Sequence, residues 1–469
     1  MFLILKSHGE KLMKFRYYIA LWASKLAIVA LKITKHNGTN FPGIVALKIC
    51  PLFLKYASKP EKIVAVTGTN GKTTVSNMIS DILIADNKKV INNKTGSNIV
   101  TGIVTTFIYG MSFFSKCKYD IAVLEMDERS ANRVLPYVTP DFMLVTNLTN
   151  DSIMRNAHPE YIRDFLSKYI NKSTKMILNA DDLITSSVAK ENSRVYFGID
   201  KMPSDVTKCI NLRNDCQICP KCNHKLKYEY LRYHHIGKAY CPSCGFKAPS
   251  YDFEGKNVSL EDMKIEIIDK EGKGVYPLPN ESIFNIYNLV SSVAVLRTMG
   301  YSHEKLIDLF KKLGIVNTRF DEIKIGENTL IKLLTKEKNA LASSRVFDYI
   351  HTMPGDKEII LMNSCQGDIV SWSENTCWLY DCDFEFLNHD SIKHIIVCGP
   401  RRFDHKLRLK LAGVPDDRIT MVEKEVDAPK KLRWIKDDYI YVLYGTDSFD
   451  LGMKVSDIVK DLMEKRKDN

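Results

Sequence analysis

A strand-like run that enters a glycine-rich turn and then a helical pattern constrains the fold of this chain most strongly. It reads KIVAVTGTNGKTTVSNMIS, in which an apolar segment (62–67) precedes the loop residues Gly68, Thr69, Asn70 and Gly71. Glycines let successive backbone N–H groups curve around a phosphate, and the N-terminus of the helix that follows favours negative charge. The sequence therefore predicts a nucleotide-phosphate loop.

The side chains after the loop supply charge and a metal ligand. Lys72 would neutralise the β- and γ-phosphates, and a threonine hydroxyl, Thr73 ahead of its neighbour Thr74, would ligate magnesium. The general pattern G-x-x-x-x-G-K-[ST] fails at its first glycine, where Val66 stands. An acidic residue at the end of a later strand should complete the magnesium site, and the segment LEMDE offers Glu125.

Strand-like and helical patterns alternate along most of the 469 residues. Such alternation predicts βαβ units and parallel sheets, so the expected fold class is α/β. A second set of strand candidates follows the segment VNTRFDEI, and we place a domain boundary near residue 318. The strand candidates are 119–127, 141–148, 175–182, 357–363, 393–399 and 438–445.

Six of the twelve cysteines fall between residues 209 and 244. Four of them form C-x₂-C-x₁₈-C-x₂-C, a spacing typical of a zinc ribbon with a closed tetrahedral site. We expect this ribbon to fold a lobe without touching the reacting groups, and we treat Cys209, Cys216, His224, His234 and His235 as bystanders. The predicted ligands are Cys219, Cys222, Cys241 and Cys244.

The N-terminal segment 17–33 is interrupted by Lys25 and Lys32 and is too short for a clean membrane span. Its spacing predicts an amphipathic helix that either packs on the next domain or rests on a membrane surface. A net charge of +11 also suggests an anionic partner. The residues expected to share the apolar face are Ile19, Trp22, Ala23, Leu26, Ala30 and Ile33.

The octapeptide TGTNGKTT resembles the phosphate loop of the Mur ligase superfamily. The resemblance implies an ATP-dependent enzyme that converts a carboxylate into an acyl phosphate and then into an amide, with Glu125 as the magnesium ligand. The segments TNLTND, LNADD and NTRFDE resemble nucleotide-contacting elements of the same superfamily. They imply contacts from Asn147, Asp151, Asp182 and Arg319.

Further segments resemble the MurT family in particular. They are HNGTNFPGIVALKICPLFLKYAS (36–58), WLYDCDFE (378–385) and CGPRRFDHKLRLKLAGV (398–414). The resemblance implies a Mur-type P-loop domain with an inserted four-cysteine zinc ribbon and a C-terminal Rossmann-like α/β domain. The expected domains are residues 1–58, residues 59–317 with the ribbon at about 209–250, and residues 318–469.

The MurT resemblance implies ATP- and Mg²⁺-dependent amidation of the D-glutamate α-carboxylate in the lipid II stem peptide, giving D-isoglutamine. Ammonia would come from a GatD-like glutaminase partner, whose catalytic histidine would be oriented by Asp381 of this chain. Asp383 and Asp368 are the alternatives. The expected location is cytoplasmic, with peripheral contact at the inner face of the membrane as a further option.

The chain departs from the MurT pattern at two places. Asn375 stands where the family has an aspartate, with Thr376 and Cys377 where it has valine and serine, and residues are inserted before Trp378. The segment after Asp151 lacks a second aspartate. Two alternatives stay open: a Mur-type amino-acid ligase that uses no glutaminase, and a P-loop protein whose zinc ribbon binds nucleic acid.

Overall fold

The chain folds into two compact units. The first comprises Met1–Leu148, His158–Cys209 and Cys216–Asn317, and the second comprises Thr149–Ala157, Ile210–Asp215 and Thr318–Asn469. The computed structural model describes residues 2–35, 38–94, 97–150, 158–313, 321–335, 339–362, 376–435, 439–445 and 447–467, without the side chains of residues 2–9 and 321.

A nine-stranded sheet forms the centre of the first unit, in the order β11-β10-β9-β6-β5-β4-β1-β3-β2. Along this order, neighbouring strands from β9 through β6, β5, β4, β1 and β3 to β2 pair in parallel, whereas β9, β10 and β11 pair antiparallel. The hairpin β7–β8 lies outside this sheet. The strands are β1 Lys62–Thr67, β2 Val90–Asn92, β3 Ile121–Glu125, β4 Phe142–Val145, β5 Lys175–Asn179, β6 Arg194–Ile199, β7 Lys227–Tyr233, β8 Ile236–Tyr240, β9 Phe253–Ser259, β10 Lys264–Asp269 and β11 Gly272–Pro277.

The central strands of this sheet are buried on both faces, which is why their sequences are continuous apolar runs. In β1 every residue after Lys62 is buried. The helices of this unit are α1 Phe2–Ile33, α2 Phe41–Ile49, α3 Phe53–Tyr56, α4 Lys72–Ala85, α5 Val100–Gly110, α6 Ala131–Val134, α7 Pro159–Tyr169, α8 Leu183–Ser186, α9 Ile283–Thr298 and α10 His303–Lys312.

The second unit has a six-stranded sheet in the order β12-β13-β17-β14-β15-β16, parallel except for the antiparallel edge strand β12. Its strands are β12 Asp321–Ile325, β13 Asn328–Thr335, β14 Lys357–Leu361, β15 Ile392–Cys398, β16 Ile419–Val422 and β17 Tyr439–Gly445. Its helices are α11 Ala340–Thr352, α12 Trp378–Asp381, α13 Arg402–Leu411 and α14 Phe449–Lys467. Both units are α/β, which confirms the expected fold class.

Helix α1 packs through a different side from the one that residue spacing suggested. The buried residues are Tyr17, Ala20, Leu21, Ser24 and Ile28, and the small Ser24 donates its hydroxyl to the Pro42 carbonyl oxygen at 2.9 Å. The expected apolar face points outward instead, with side chains such as Ile19, Trp22, Leu26 and Ile33 exposed. Among the described residues, no helix combines the length and the apolar character that crossing a membrane requires.

The strand order determines where functional side chains can meet. Because β4, β1 and β3 are parallel neighbours, their carboxyl ends lie at one edge of the sheet. Ligands of open α/β sheets bind at this edge. The phosphate loop follows β1, Glu125 ends β3, and Asn147 follows β4.

Candidate active site

Two glycines make the predicted phosphate loop possible. Gly68 and Gly71 have φ values of +126° and +86°, in the left-handed region that side-chain-bearing residues rarely adopt. A Cβ atom on Gly68 would clash with Thr146, and one on Gly71 would clash with the side-chain amide of Asn288. The loop is therefore enclosed by the end of β4 on one side and by α9 on the other.

Asn147 holds the loop from the end of β4. Its Oδ1 accepts the N–H of Asn70 at 3.1 Å, and its Nδ2 donates to the Asn70 carbonyl oxygen at 3.1 Å. Its own carbonyl oxygen accepts the N–H of Thr69 at 2.8 Å. Asn147 thus shapes the predicted phosphate cradle through three hydrogen bonds.

Lys72 lies at the start of α4 and is paired with a buried carboxylate. Its Nζ donates to Glu128 Oε1 at 3.0 Å and to the Gly68 carbonyl oxygen, while the Gly68 N–H donates to the same Oε1 at 3.1 Å. Burial raises the pKa of the Glu128 carboxyl, and the positive charge of Lys72 opposes that rise. An entering phosphate would compete with Glu128 for this ammonium group.

Thr73 and Glu125, the two predicted magnesium ligands, lie together. Thr73 Oγ1 donates to Glu125 Oε2 at 2.8 Å, and Asn98 Nδ2 donates to Oε1 of the same carboxylate at 2.9 Å. Adjacent ligands of an octahedral Mg²⁺ at about 2.1 Å lie about 3 Å apart, so this oxygen pair fits such an ion. The side-chain amide of Asn93 fixes the Glu125 backbone: its Oδ1 accepts the Glu125 N–H and its Nδ2 donates to the Glu125 carbonyl oxygen, at 2.9 Å each. Thr74 is exposed on α4.

Asp182 organises the loop after β5 through several hydrogen bonds. Its carboxylate is fully buried and accepts the N–H groups of Ile184 and Thr185 and, from the end of β4, that of Leu148 at 2.7 Å. His235 Nε2 lies 3.2 Å from its Oδ1. Burial would raise the pKa of this carboxyl, but His235 and the other donors outweigh burial and lower it. The described contacts of this carboxylate are with protein groups, and the nucleotide contact expected of Asp182 stays a prediction.

The four predicted zinc ligands converge at the base of the β7–β8 hairpin. Their sulfur atoms all lie within 4.8 Å of one another, with Cys219–Cys244 at 3.6 Å and Cys222–Cys241 at 3.5 Å. Tetrahedral Zn–S bonds of about 2.3 Å place sulfurs about 3.8 Å apart, so the residues fit the ion.

A small pocket opens beside the phosphate loop, on the side of α9. It is a narrow cleft that is continuous with solvent and has both polar and aromatic side chains in its wall. Asn147 and Asn288, which contact the loop, belong to its wall. The lining residues are Thr146, Asn147, Asn179, Phe197, Tyr233, Phe284, Tyr287, Asn288 and Ser291.

Comparison with known proteins matches two family models to this chain. Residues 66–227 match the Mur ligase middle domain, and residues 337–446 match the MurT ligase C-terminal domain. The MurT subunit of lipid II isoglutaminyl synthase from Staphylococcus aureus (strain COL) is 32% identical over 403 residues, which are 85% of this chain and 89% of that protein.

The chain belongs to the MurT family. The MurT subunit from Streptococcus pneumoniae is 30% identical over 82% of this chain and 84% of its own length. Among solved structures, a pseudomurein peptide ligase type C from Methanothermus fervidus has a TM-score of 0.62 at 20% identity, covering 87% of this chain and 80% of that one. MurF from Acinetobacter baumannii has a TM-score of 0.61 at 14% identity, covering 89% and 80%. The chain is an ATP-dependent ligase with the Mur fold, which decides against the non-enzyme alternative.

The MurT-type segment WLYDCDFE presents its two aspartates differently. In the second unit, the Asp381 carboxylate pairs with Arg213 Nη1 at 2.7 Å and keeps 21% of its side chain exposed. Asp383 is buried and accepts Asn211 Nδ2 at 2.9 Å and the Leu212 N–H at 2.6 Å. Of these two, Asp381 is the carboxylate that a second protein could reach.

Several expected positions lie outside the described residues, namely Arg319, Asp151, Asp368 and Asn375. Sequence reasoning missed a group of side chains that the fold brings to the site from separate elements. Short polar residues of this kind carry no motif of their own, although the segments NNKTGSN and FNIYN, rich in asparagine, were a signal. The missed residues of this site are Asn93, Asn98, Tyr233 and Asn288. In the second unit, sequence reasoning also missed Arg213, which pairs with Asp381.

We expect Glu125→Gln to weaken Mg²⁺-dependent ATP binding by about tenfold, because a neutral amide is a poorer ligand for a hard cation. ATP binding in EDTA should be unchanged. Calorimetric titration of the full-length chain under both conditions measures the two affinities. The matched control is Asp81→Asn, which alters an exposed acid on α4 that pairs with Lys94. Equal losses in the two variants would contradict the magnesium role of Glu125.

Proposed function

We propose that this chain is the synthetase subunit of a glutamine-dependent amidotransferase that amidates the D-glutamate α-carboxylate of lipid II. The observation that carries the proposal is the meeting of Lys72, Thr73 and Glu125 at the mouth of a phosphate loop, in a chain of the MurT family. The S. aureus and S. pneumoniae relatives are subunits of lipid II isoglutaminyl synthase. A MurF structure from Thermotoga maritima with the same fold was solved in complex with ADP.

The residues of the first unit divide the phosphoryl-transfer chemistry among them. Backbone N–H groups from Gly68 to Thr73 would hold the ATP phosphates, and Lys72 would meet the charge that develops on the transferred phosphoryl group. Thr73 and Glu125 would hold Mg²⁺, which would supply positive charge to offset the negative charge of the phosphates. The substrate carboxylate would attack the γ-phosphorus, forming an acyl phosphate and ADP. Ammonia would then displace inorganic phosphate to leave the amide.

The second unit would complete the glutaminase of the partner subunit. A histidine that serves as a general base needs a carboxylate to orient its imidazole ring. Asp381 suits this task because it is reachable from solvent, while Arg213 at 2.7 Å holds its carboxylate in one position. The Asp383 carboxylate already accepts hydrogen bonds from the Asn211 side-chain amide and the Leu212 N–H. The partner would be a GatD-like glutaminase.

The exposed face of α1 supports peripheral binding at the inner face of the membrane. Trp22 and Leu26 lie on that face, and Trp22 Nε1 donates to the Phe113 carbonyl oxygen at 2.9 Å. Phe113 and Phe114 project beside it from the loop after α5, 57% and 86% exposed. Exposed basic residues of α1 and of the loop after α5 would complement anionic lipid headgroups. They are Lys11, Lys14, Lys32, Lys116 and Lys118.

The proposed reaction is tested by supplying a co-purified GatD-like glutaminase, ATP and lipid II together with amide-¹⁵N-labelled glutamine. The label should enter the stem peptide as D-isoglutamine, with one ATP consumed per amide, and mass spectrometry would locate it. Lys72→Ala should abolish transfer, since the phosphoryl charge would then be unmatched. Incorporation of a free amino acid in place of the label would favour the ligase that uses no glutaminase, and failure to form both complex and amide would refute the proposal.

Asp381→Asn should lower glutamine-dependent amidation by about a hundredfold or more while leaving ammonia-dependent amidation near the wild-type rate. The reason is that only the partner's histidine depends on this carboxylate, since free ammonium bypasses the glutaminase. Initial rates with glutamine and with ammonium chloride measure the difference. Asp390→Asn, at a fully exposed aspartate of the same unit, is the control. Equal loss with both nitrogen donors would rule the role out.

Replacing Phe113 and Phe114 by serine should weaken binding to phosphatidylglycerol vesicles by at least about tenfold, because each phenylalanine that enters the interface contributes about 1.5–3 kcal/mol. Co-sedimentation of the full-length chain with the vesicles measures the bound fraction. Tyr161→Ser removes a similarly exposed aromatic ring from α7 and should have little effect. Equal binding of the wild type and the double variant would refute a membrane role for this loop.

A further inference from the structure

The β7–β8 hairpin connects the four-cysteine site to the pocket beside the phosphate loop. Cys219 and Cys222 precede β7, and Cys241 follows β8 directly. The turn at residues 234–235 lies at the other end of the hairpin. At about 3.3 Å per residue, the seven residues of β7 carry the chain about 20 Å from the metal ligands toward the pocket.

The tip of this hairpin is bound to the loop after β5. His235 Nε2 lies 3.2 Å from Asp182 Oδ1, and both side chains are fully enclosed. The Gly237 N–H donates to the Asp181 carbonyl oxygen at 2.8 Å. Since Asp182 also accepts the Leu148 N–H, directly after the loop-holding Asn147, the tip and the phosphate cradle share one hydrogen-bonded framework.

A buried arginine extends this framework to α9. Arg232 Nη1 pairs with Asp181 Oδ2 at 3.0 Å, and Tyr287 donates its hydroxyl to the same oxygen at 2.6 Å. Arg232 Nη2 also donates to the Ile199 carbonyl oxygen at 2.7 Å. With 2% of its side chain exposed, Arg232 depends on these acceptors, because a buried charge without partners is strongly destabilising.

The last residue of β7 reaches the pocket itself. Tyr233 lines the pocket and packs on Phe284, with ring centroids 5.1 Å apart. Tyr287, which shares Asp181 with Arg232, lines it as well. Asn288 contacts Gly71 of the phosphate loop from the same wall, so an aromatic base in the pocket and phosphates in the loop could belong to one molecule.

We propose that the β7–β8 hairpin is a wall of the nucleotide site, with Tyr233 packing on the base, so that the metal at the four cysteines and the nucleotide bind cooperatively. This inference rests on the proposed function, which puts ATP at the phosphate loop. A two-stranded hairpin is marginally stable by itself, and a closed four-cysteine site stabilises the chain that carries it. Loss of the metal would release the base of the hairpin and loosen Tyr233 at its tip.

Cooperativity of this kind is reciprocal. If the metal increases affinity for the nucleotide by some factor, the nucleotide must increase affinity for the metal by the same factor. The sequence-based expectation of a ribbon that folds a lobe apart from the chemistry implies no such coupling. The two views therefore differ in a quantity that can be measured without turnover.

The first experiment compares ATP and magnesium tripolyphosphate as ligands of the full-length, zinc-loaded chain by calorimetry. Tyr233→Ala should weaken ATP binding by about tenfold, the usual scale for losing one base–aromatic contact, and leave tripolyphosphate binding unchanged. Tyr233→Phe keeps the ring and should bind ATP like the wild type. Tyr240→Ala, on the same hairpin but outside the pocket lining, is the matched control.

The second experiment uses the wild-type chain and so does not depend on the folding of a variant. Zinc is competed with 4-(2-pyridylazo)resorcinol, in excess Mg²⁺, with no ligand, with ATP or with tripolyphosphate. ATP should raise zinc affinity at least about fivefold over tripolyphosphate, which fills the loop but leaves the pocket empty.

Equal zinc affinity with the two ligands, together with normal ATP binding by Tyr233→Ala, would overturn the inference while leaving the proposed function intact. Failure of the wild type to bind either ATP or tripolyphosphate would instead refute the proposed function. If Tyr233→Ala, unlike the wild type, bound neither ATP nor tripolyphosphate, the hairpin would support the whole fold rather than the base. That result would also overturn the inference.

Discussion

The contact between the phosphate loop and the carboxyl end of β4 is the interaction on which the rest of the site depends. Asn147 binds the backbone of Asn70 through both ends of its side-chain amide, and the chain at Gly68 passes too close to Thr146 for any side chain. These contacts hold the loop open in a shape that a free glycine-rich segment would rarely keep, given the entropy that such residues lose on ordering. Because β3 lies on the other side of β1, Glu125 reaches the same loop from the opposite direction.

Two buried carboxylates of the first unit are each balanced by a nearby positive charge. Glu128 is matched by Lys72, and Asp181 by Arg232 with Tyr287 as an additional donor. Each pair joins elements that are distant along the chain, so each one fixes the position of a functional segment as well as satisfying a charge. In the proposed function, the Lys72 ammonium group would exchange Glu128 for a phosphate oxygen when ATP binds.

The phosphate loop, Lys72, Thr73, Glu125 and the four cysteines were predictable because their chemistry lies within short motifs of fixed spacing. Family resemblance extended that prediction to the C-terminal domain. Asn93, Asn98 and Asn288 lie in asparagine-rich segments, but each is an ordinary polar residue whose role appears only when the fold places it beside the loop. For helix α1, the sequence pattern correctly indicated an apolar face but wrongly suggested that this face packs on the protein. The side that packs carries Ala20 and Ser24, whose small side chains allow close approach.

The sequence by itself determined an α/β fold with a phosphate loop and a four-cysteine cluster, because strand–loop–helix patterning and ligand spacing are local properties of the chain. That the chain is a ligase came from its resemblance to the Mur superfamily. Tertiary structure decided which residues act together. It buried Asp182 as a hydrogen-bonding centre, left Asp381 more accessible than Asp383, and brought Tyr233 from the cysteine insertion to the pocket beside the loop. Burial and long-range contact depend on how strands are ordered in the sheet, and no short stretch of sequence encodes that order.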